Sequence, residues 1–218
     1  LPLLGALLAV PEGHCLCELV SSENSFNIGM TILFGVLWGV GGLTFGLSMR
    51  YLGVALGQSI ALGTCAGLGT VMGPILLNIF FPEQGALASL TTSVLLGVAV
   101  TLLGIAIIGI AGSMKASTLS EEEKKAAVKD FNFPRGIVIA LLAGFMSGCF
   151  NVGLAFGEGI NFGDLTPDMF KTLPATFLVT LGGFATNAIY CFYQNHKNGT
   201  WSDYRKGNVW INNLFFCV

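Results

Sequence analysis

Apolar and small residues run without a formal charge over positions 24–49, 51–82, 84–114, 136–157 and 172–196, and again over 207–218. Gly, Leu, Ile, Val, Phe and Ala fill these stretches. A helix crosses the hydrocarbon core of a bilayer in about 20 residues, and each of the first five runs is longer. The pattern predicts spans over 28–49, 54–80, 90–111, 136–156 and 173–193, an all-α polytopic membrane helix bundle. Only Arg50-Tyr51-Leu52-Gly53 separates the first two spans, so these must be antiparallel neighbours. Residues 1–11 and 209–218 each read as half a span. The chain is therefore expected to be one transmembrane domain, 1–218, incomplete at both ends. No basic stretch precedes Leu1–Val10, which argues against a secretory signal.

Charge supports this reading and orients it. Charged residues make up 10% of the chain, against about 25% in soluble domains, and mean hydropathy is +0.75. The net charge is −2, and no basic stripe with interleaved aromatics suggests a nucleic-acid partner; the partner expected from composition is the lipid bilayer. The loops around 50, 113–135 and 195–208 hold Arg50, Lys115, Lys124, Lys125, Lys129, Arg135, Lys197, Arg205 and Lys206, nine of the ten basic residues. The loops 11–27, 81–89 and 157–172 hold only Lys171, with Glu12, Glu18, Glu23, Glu83, Glu158, Asp164 and Asp168. The bias of Lys and Arg toward cytoplasmic loops places the first set inside. In the linker 113–135, Ser120 and Glu123 form a capping-box pattern, with Glu121 and Lys125 one turn apart. A short helix is expected over 121–130, within a solvated linker.

Chemistry-bearing motifs are few. Cys65, Cys149 and Cys191 lie inside apolar runs and act there as small packing residues. His14-Cys15-Leu16-Cys17 lacks the spacing and the second ligand pair of a structural zinc site, so no metal and no cofactor is expected. No nucleophile elbow, P-loop or zinc-protease signature is present, and the chain is expected not to be an enzyme, with no catalytic residue. Asn198-Gly199-Thr200 is a formal glycosylation sequon in a loop assigned to the cytoplasm.

Polar residues inside the spans mark the candidate site. A buried amide is costly in lipid unless satisfied, so Gln58, Asn151 and Asn187 should face the bundle or water. Their plain structural reading is hydrogen bonding between helices. Trp38 sits deep in its span, away from the interfacial belt, as core filler or as a stacking platform. No Asp, Glu, His or Lys stands in the middle of a span; Glu158, at an outer end, is the nearest candidate for carrying a proton. Glycines recur at four-residue spacing (Gly35/Gly39, Gly42/Gly46, Gly53/Gly57, Gly63/Gly67, Gly69/Gly73, Gly144/Gly148 and Gly153/Gly157), which permits close helix approach. Gly73-Pro74 should kink or end its helix, because Pro removes a backbone donor, and Gly182-Gly183 is a second candidate for bending. Arg50 reads as a structural residue whose long side chain can snorkel to headgroups or meet helix carbonyls.

The stretch Leu33-Phe-Gly-Val-Leu-Trp-Gly-Val-Gly-Gly-Leu-Thr-Phe-Gly-Leu-Ser-Met-Arg-Tyr-Leu-Gly53 resembles the L-rhamnose–proton symporter family of the drug/metabolite transporter superfamily. The likeness continues through Gly57, Ile60-Ala61-Leu62-Gly63, Pro74-Ile75, Lys129-Asp-Phe-Asn-Phe-Pro-Arg-Gly136, Leu173-Pro174 and Gly182-Gly183 with Asn187. It departs at Gly157-Glu158-Gly159, where the family tends to carry a Lys-Pro pair. The resemblance implies ten helices in two inverted repeats of five. On that map 1–11 is the end of the second helix, the five complete spans are the third to seventh, and 209–218 starts the eighth.

The function this implies is proton-coupled uptake of L-rhamnose or a related deoxy sugar across a bacterial inner membrane. Sugar hydroxyls call for amides in place of water, and a sugar's C–H face for an aromatic ring; Trp38, Gln58, Asn151 and Asn187 supply both. A metabolite or amino-acid exporter of the same superfamily and a non-transporting membrane scaffold are the alternatives. Oligomeric state is not legible.

Overall fold

The computed structural model describes residues 2–11, 13–15, 18, 25–118 and 130–205. Among these the regular structure is entirely helical: α1 (Pro2–Leu8), α2 (Ser25–Leu52), α3 (Val54–Phe80), α4 (Thr92–Thr118), α5 (Phe133–Phe156) and α6 (Leu173–Asn198), with short 3-10 turns between α3 and α4, between α5 and α6, and after α6. Helices α2 to α6 contain 28, 27, 27, 24 and 26 residues. At about 1.5 Å per residue each is long enough for a core of about 30 Å, and all five are apolar enough to cross a membrane. The chain is a multi-pass membrane helix bundle.

Helix α5 is the hub, packed against both α2 and α3; α6 lies on α2, α4 on α3, and α1 on α6. Glycines set the closest approaches. A methyl group placed on Gly35 would strike the Val179 carbonyl of α6, and one on Gly182 would strike the Ile32 carbonyl of α2. On the other flank, a methyl on Gly144 would meet the Ala61 carbonyl and Thr64 Cβ of α3 at 2.5 Å, and Gly148 faces Gly69. Direction follows from successive contacts: Gly35 meets Val179 and Gly39 meets Gly183 and Thr186, so α2 and α6 run parallel; Gly144 meets Ala61 and Gly148 meets Gly69, so α3 and α5 run parallel; Gly41 against Ser147 and Gly153 against Thr31 set the two pairs antiparallel. Of the spaced glycines, Gly42 and Gly46 meet nothing within 4 Å; they lie on an open face.

Every basic helix end falls at the same end of the bundle. Arg50 closes α2, Arg135 opens α5, Lys115 lies in the last turn of α4, and His196 and Lys197 lie in the last turn of α6. At the opposite end Phe26, Phe80, Phe81 and Phe156 form an aromatic cluster with ring centroids 5.5–6.4 Å apart. The same end carries Glu83 and Glu158. There Thr166, 2% exposed, donates its hydroxyl to the Ala9 carbonyl at 3.1 Å and ties α1 to the loop before α6.

Several boundaries differ from the sequence reading. The expected four-residue connection 50–53 shrinks to one residue: α2 continues through Leu52, and Gly53 turns the chain with φ 82°, a conformation that suits glycine. Pro74 does not end its helix, because α3 continues to Phe80; a methyl added on Gly73 there would lie 3.5 Å from the Ala155 methyl of α5. Helix α6 runs through Gly182-Gly183, where the two glycines serve contact with α2. Helix α4 extends past position 111 to Thr118, and α5 starts at Phe133, earlier than position 136. Asn132 caps it by accepting from the Arg135 N–H at 3.2 Å, with Pro134 in the first turn. The helix expected over 121–130 and the half-span 209–218 lie outside the described residues, Asp130 excepted.

Backbone contact at Gly35 makes a clear test. Gly35→Val should destabilise the detergent-solubilised protein by about 1–3 kcal/mol through overpacking, read as a fall in melting temperature. Gly42→Ala, on the open face, should leave the melting temperature unchanged.

Candidate functional site

Two of the predicted residues meet at one glycine. Trp38 lies in the middle of α2, 14 residues before Leu52, which is roughly 20 Å of helix rise from that end. Its ring is seated against Gly183 of α6: a methyl there would lie 2.5 Å from Cε3 and 2.7 Å from Cζ3. The ring also packs on Phe150 of α5, with ring centroids 5.0 Å apart and planes tilted by 57°. Asn187, one turn beyond Gly183, donates from Nδ2 to the Gly183 carbonyl at 2.8 Å. Among the described residues neither Asn187 Oδ1 nor the Trp38 indole N–H has a hydrogen-bond partner. An aromatic ring, a free acceptor and a free donor are thus gathered near mid-depth. Thr186, beside Asn187, donates to the Val36 carbonyl of α2 at 3.2 Å and links the two helices.

The other amides stand elsewhere. Asn151 is exposed on α5 and directed at α3, its Nδ2 2.7 Å from where a methyl on Gly69 would be. It follows Phe150 in sequence and is turned about 100° from it around the helix. Gln58 is exposed on α3, about 6 Å of rise from the start of that helix. It shares its face with exposed Val54 and Leu62 and lies away from the Gly57 and Ala61 face that α2 and α5 cover. The structure brings Trp38 and Asn187 together and does not bring Asn151 or Gln58 to the same contact.

Glu158 sits at the aromatic end, exposed, on a cavity of about 240 Å³ lined with Leu154, Ala155, Thr172 and Ala175. A larger cavity of about 510 Å³ runs along the outward side of α6 between Ala188, Ile189, Phe192, Tyr193 and His196. It is apolar, as a face against lipid or a further helix would be. Two buried polar atoms, Asn27 Oδ1 and Thr64 Oγ1, have no partner among the described residues. Those residues contain no cluster of three or more His, Cys, Asp or Glu that could hold a metal ion.

Arg50 has a partner that the sequence reading did not identify. Its Nε donates to Asp130 Oδ2 at 2.6 Å, with both side chains solvent-accessible. The Asn132 N–H donates to the Tyr51 carbonyl at 3.1 Å, and Gly136 lies under Leu52. The segment entering α5 is therefore held to the α2–α3 corner. Asp130 is 80 positions from Arg50, beyond the reach of any local rule. Phe150 gave no signal either, as one of 17 phenylalanines.

Five apolar helices packed through glycines, with an indole and an amide inside them, define a multi-pass membrane protein. The family described as L-rhamnose-proton symport protein (RhaT) matches residues 15–203, and the chain belongs to that family. It is 33% identical over 184 residues to the L-rhamnose-proton symporters of Yersinia pestis bv. Antiqua (strain Antiqua) and Yersinia pseudotuberculosis serotype O:3 (strain YPIII). The matches cover 77% of this chain and 49% and 48% of those relatives, so the chain spans about half the length of the curated relatives it matches. No solved structure matches it.

The Arg50–Asp130 pair yields a direct expectation for the detergent-solubilised protein. Arg50→Lys preserves the ion pair and should leave the melting temperature close to the parent's. Arg50→Asp should lower it, and adding Asp130→Arg should restore part of the loss. Thermal unfolding of the three variants decides; a double variant no more stable than Arg50→Asp would remove the pair's role in holding this corner.

Proposed function

We propose that this chain is part of a secondary active transporter that takes up L-rhamnose or a related deoxy sugar together with a proton across a bacterial inner membrane. The observation that carries the reading is the meeting of Trp38 and Asn187 at Gly183 near mid-depth, with an indole N–H and an amide oxygen unclaimed by the described residues. Membership in the L-rhamnose–proton symport family and the curated names of the relatives support the substrate. A neutral sugar needs no counter-charge: its C–H face lies on an aromatic ring and its hydroxyls exchange hydrogen bonds with amides. Transporters place such sites near the midplane, where helices from different parts of the bundle converge. Trp38 is assigned the stacking surface and Asn187 an acceptor for a hydroxyl. Asn151 and Gln58 are assigned further sugar contacts along the path, Asn151 toward the aromatic end and Gln58 toward the basic end.

Glu158 is assigned the proton. Among the described residues it is the carboxylate closest to a span on the outer side, and its cavity opens where an incoming sugar and proton would enter. The orientation follows from the positive-inside bias: the end with Arg50, Lys115 and Arg135 is cytoplasmic, and the end with Glu83 and Glu158 is outside. Ten helices in two inverted repeats is the intact architecture proposed, of which this chain would contribute the middle. No charged residue stands mid-span among the described residues, which weighs against a charged amino acid as substrate.

Adding L-rhamnose to cells or vesicles containing the full-length protein should alkalinise the medium on the uptake side. Glu158→Gln should abolish that signal while sugar exchange persists. Trp38→Ala should raise KM for the sugar up to about tenfold, the equivalent of losing about 1.4 kcal/mol of contact. Absence of any sugar-dependent pH change in the parent protein would overturn the symport reading.

Orientation has its own check. Single cysteines at Glu18 and Asp164 should react with an impermeant thiol reagent on whole cells, and one at Lys124 should not. The reverse pattern would invert the assignment.

A further inference from the structure

We propose that Gly183 is a positioning residue for sugar recognition: its missing side chain seats the Trp38 ring, and its carbonyl orients the Asn187 amide. This rests on the transport reading above and adds the element that sets the spacing between aromatic face and acceptor.

The geometry leaves little slack. A methyl at position 183 would lie 2.5 Å from Trp38 Cε3 and 2.7 Å from Cζ3, too close for the ring to stay where it is. Moving helix α6 away would break its backbone contact with α2 along a whole stretch. A methyl on Gly39 of α2 would lie 2.9 Å from the Gly183 carbonyl oxygen, and Gly35 and Gly182 are held as tightly against the facing backbone. The ring is the movable part, and it also packs on Phe150 at 5.0 Å between centroids, a contact that any shift of the ring would alter. The Gly183 carbonyl accepts from Asn187 Nδ2 at 2.8 Å. That bond fixes which end of the amide is free and presents Oδ1 as the acceptor. One residue thus holds both halves of the contact in register.

The ligand class that fits is a pyranose with one apolar face and hydroxyls on its rim. A 6-deoxyhexose carries a methyl where a hexose carries a hydroxymethyl group. A ring held at a set distance from a single acceptor fixes how such a pyranose lies between them. Gly183 is therefore assigned the register of the bound sugar, to which the choice between a 6-deoxyhexose and its 6-hydroxy counterpart is expected to respond.

The test uses the full-length protein in proteoliposomes, with Trp38 as its sole tryptophan for the spectroscopic part. Gly183→Ala should shift Trp38 emission and its quenching by acrylamide with no sugar present. In transport assays it should raise KM for L-rhamnose about tenfold with kcat little changed, and narrow the preference for L-rhamnose over L-mannose by a similar factor. In a Trp38→Phe background, Gly183→Ala should change KM by less than about twofold, since the smaller ring leaves room; an effect acting through the helix backbone would persist there. If Gly183→Ala does not reach the membrane, Phe150→Leu, which adds no bulk, serves instead: Trp38 should be quenched more readily and KM for L-rhamnose should rise. Unchanged emission, or changed emission with KM and sugar preference both unchanged, overturns the proposal. A parent protein that takes up no L-rhamnose overturns the transport reading itself; a parent that transports, with Gly183→Ala behaving like it, overturns only the role of Gly183.

Discussion

Contact between helix backbones at glycine is the interaction on which this structure depends. In a bilayer, apolar side chains gain nothing by leaving lipid for one another, so helices associate through van der Waals packing and occasional hydrogen bonds. Packing of that kind strengthens as backbones approach, and only small residues allow it. Gly35 and Gly182 bring α2 and α6 together; Gly144, Gly148 and Gly69 do the same for α3 and α5. Helix α5 belongs to both sets of contacts and joins the two pairs. Helix α4, none of whose described residues is buried, shows the contrast. It touches α3 through Leu56, Ile105 and Leu102 over glycines on one helix or the other, and its remaining surface of Leu, Ile and Val faces outward.

The two ends of the bundle are finished differently. At the basic end the chain is closed by polar contacts: Arg50 with Asp130, the Asn132 N–H with the Tyr51 carbonyl, and the Asn132 side chain with the first turn of α5. At the acidic end four phenylalanines pack edge to face, and Phe34 stacks on Phe156 at 5.7 Å. Water can satisfy charges at either interface, but not at mid-depth, where each polar atom needs a protein or ligand partner. Most hydroxyls in the spans bond back to their own helix, as Thr44 and Thr180 do. Trp38 and Asn187, like Thr64, keep a polar group unclaimed among the described residues, but these two do so at one shared glycine. That convergence at Gly183 marks the proposed sugar site.

The fold class was legible in the sequence because its physical cause is local. Twenty or more consecutive residues without a charge can only be helix in lipid, whatever they pack against. The placement of Arg and Lys in alternate loops is equally local, and the bundle does gather the basic helix ends on one side. The family motif around Trp38 and Met49-Arg50-Tyr51 was also readable directly. Helix ends were less so. Tyr51 and Leu52 extend α2 because Gly53 can turn the chain in one residue. Pro74 leaves α3 unbroken because its missing bond affects one carbonyl while the rest of the helix stays packed.

The candidate site was only partly legible, since a polar residue in an apolar run announces that it needs a partner but not which partner. Rotation about the helix axis decides that, and rotation is set by which glycines meet which backbone. It turned Trp38 and Asn187 toward Gly183, Asn151 toward Gly69, and Gln58 to an exposed face. Phe150 had no distinguishing sequence feature, and Asp130, though inside the 129–136 stretch, carried no sign of its partner, because both roles exist only across an interface between distant segments. The sequence by itself determined that the chain crosses a membrane, how often in its complete runs, and which loops share a side. Tertiary structure decided which side chains face one another, because helix-to-helix contact is long-range in sequence and depends on backbone shape at a few small residues.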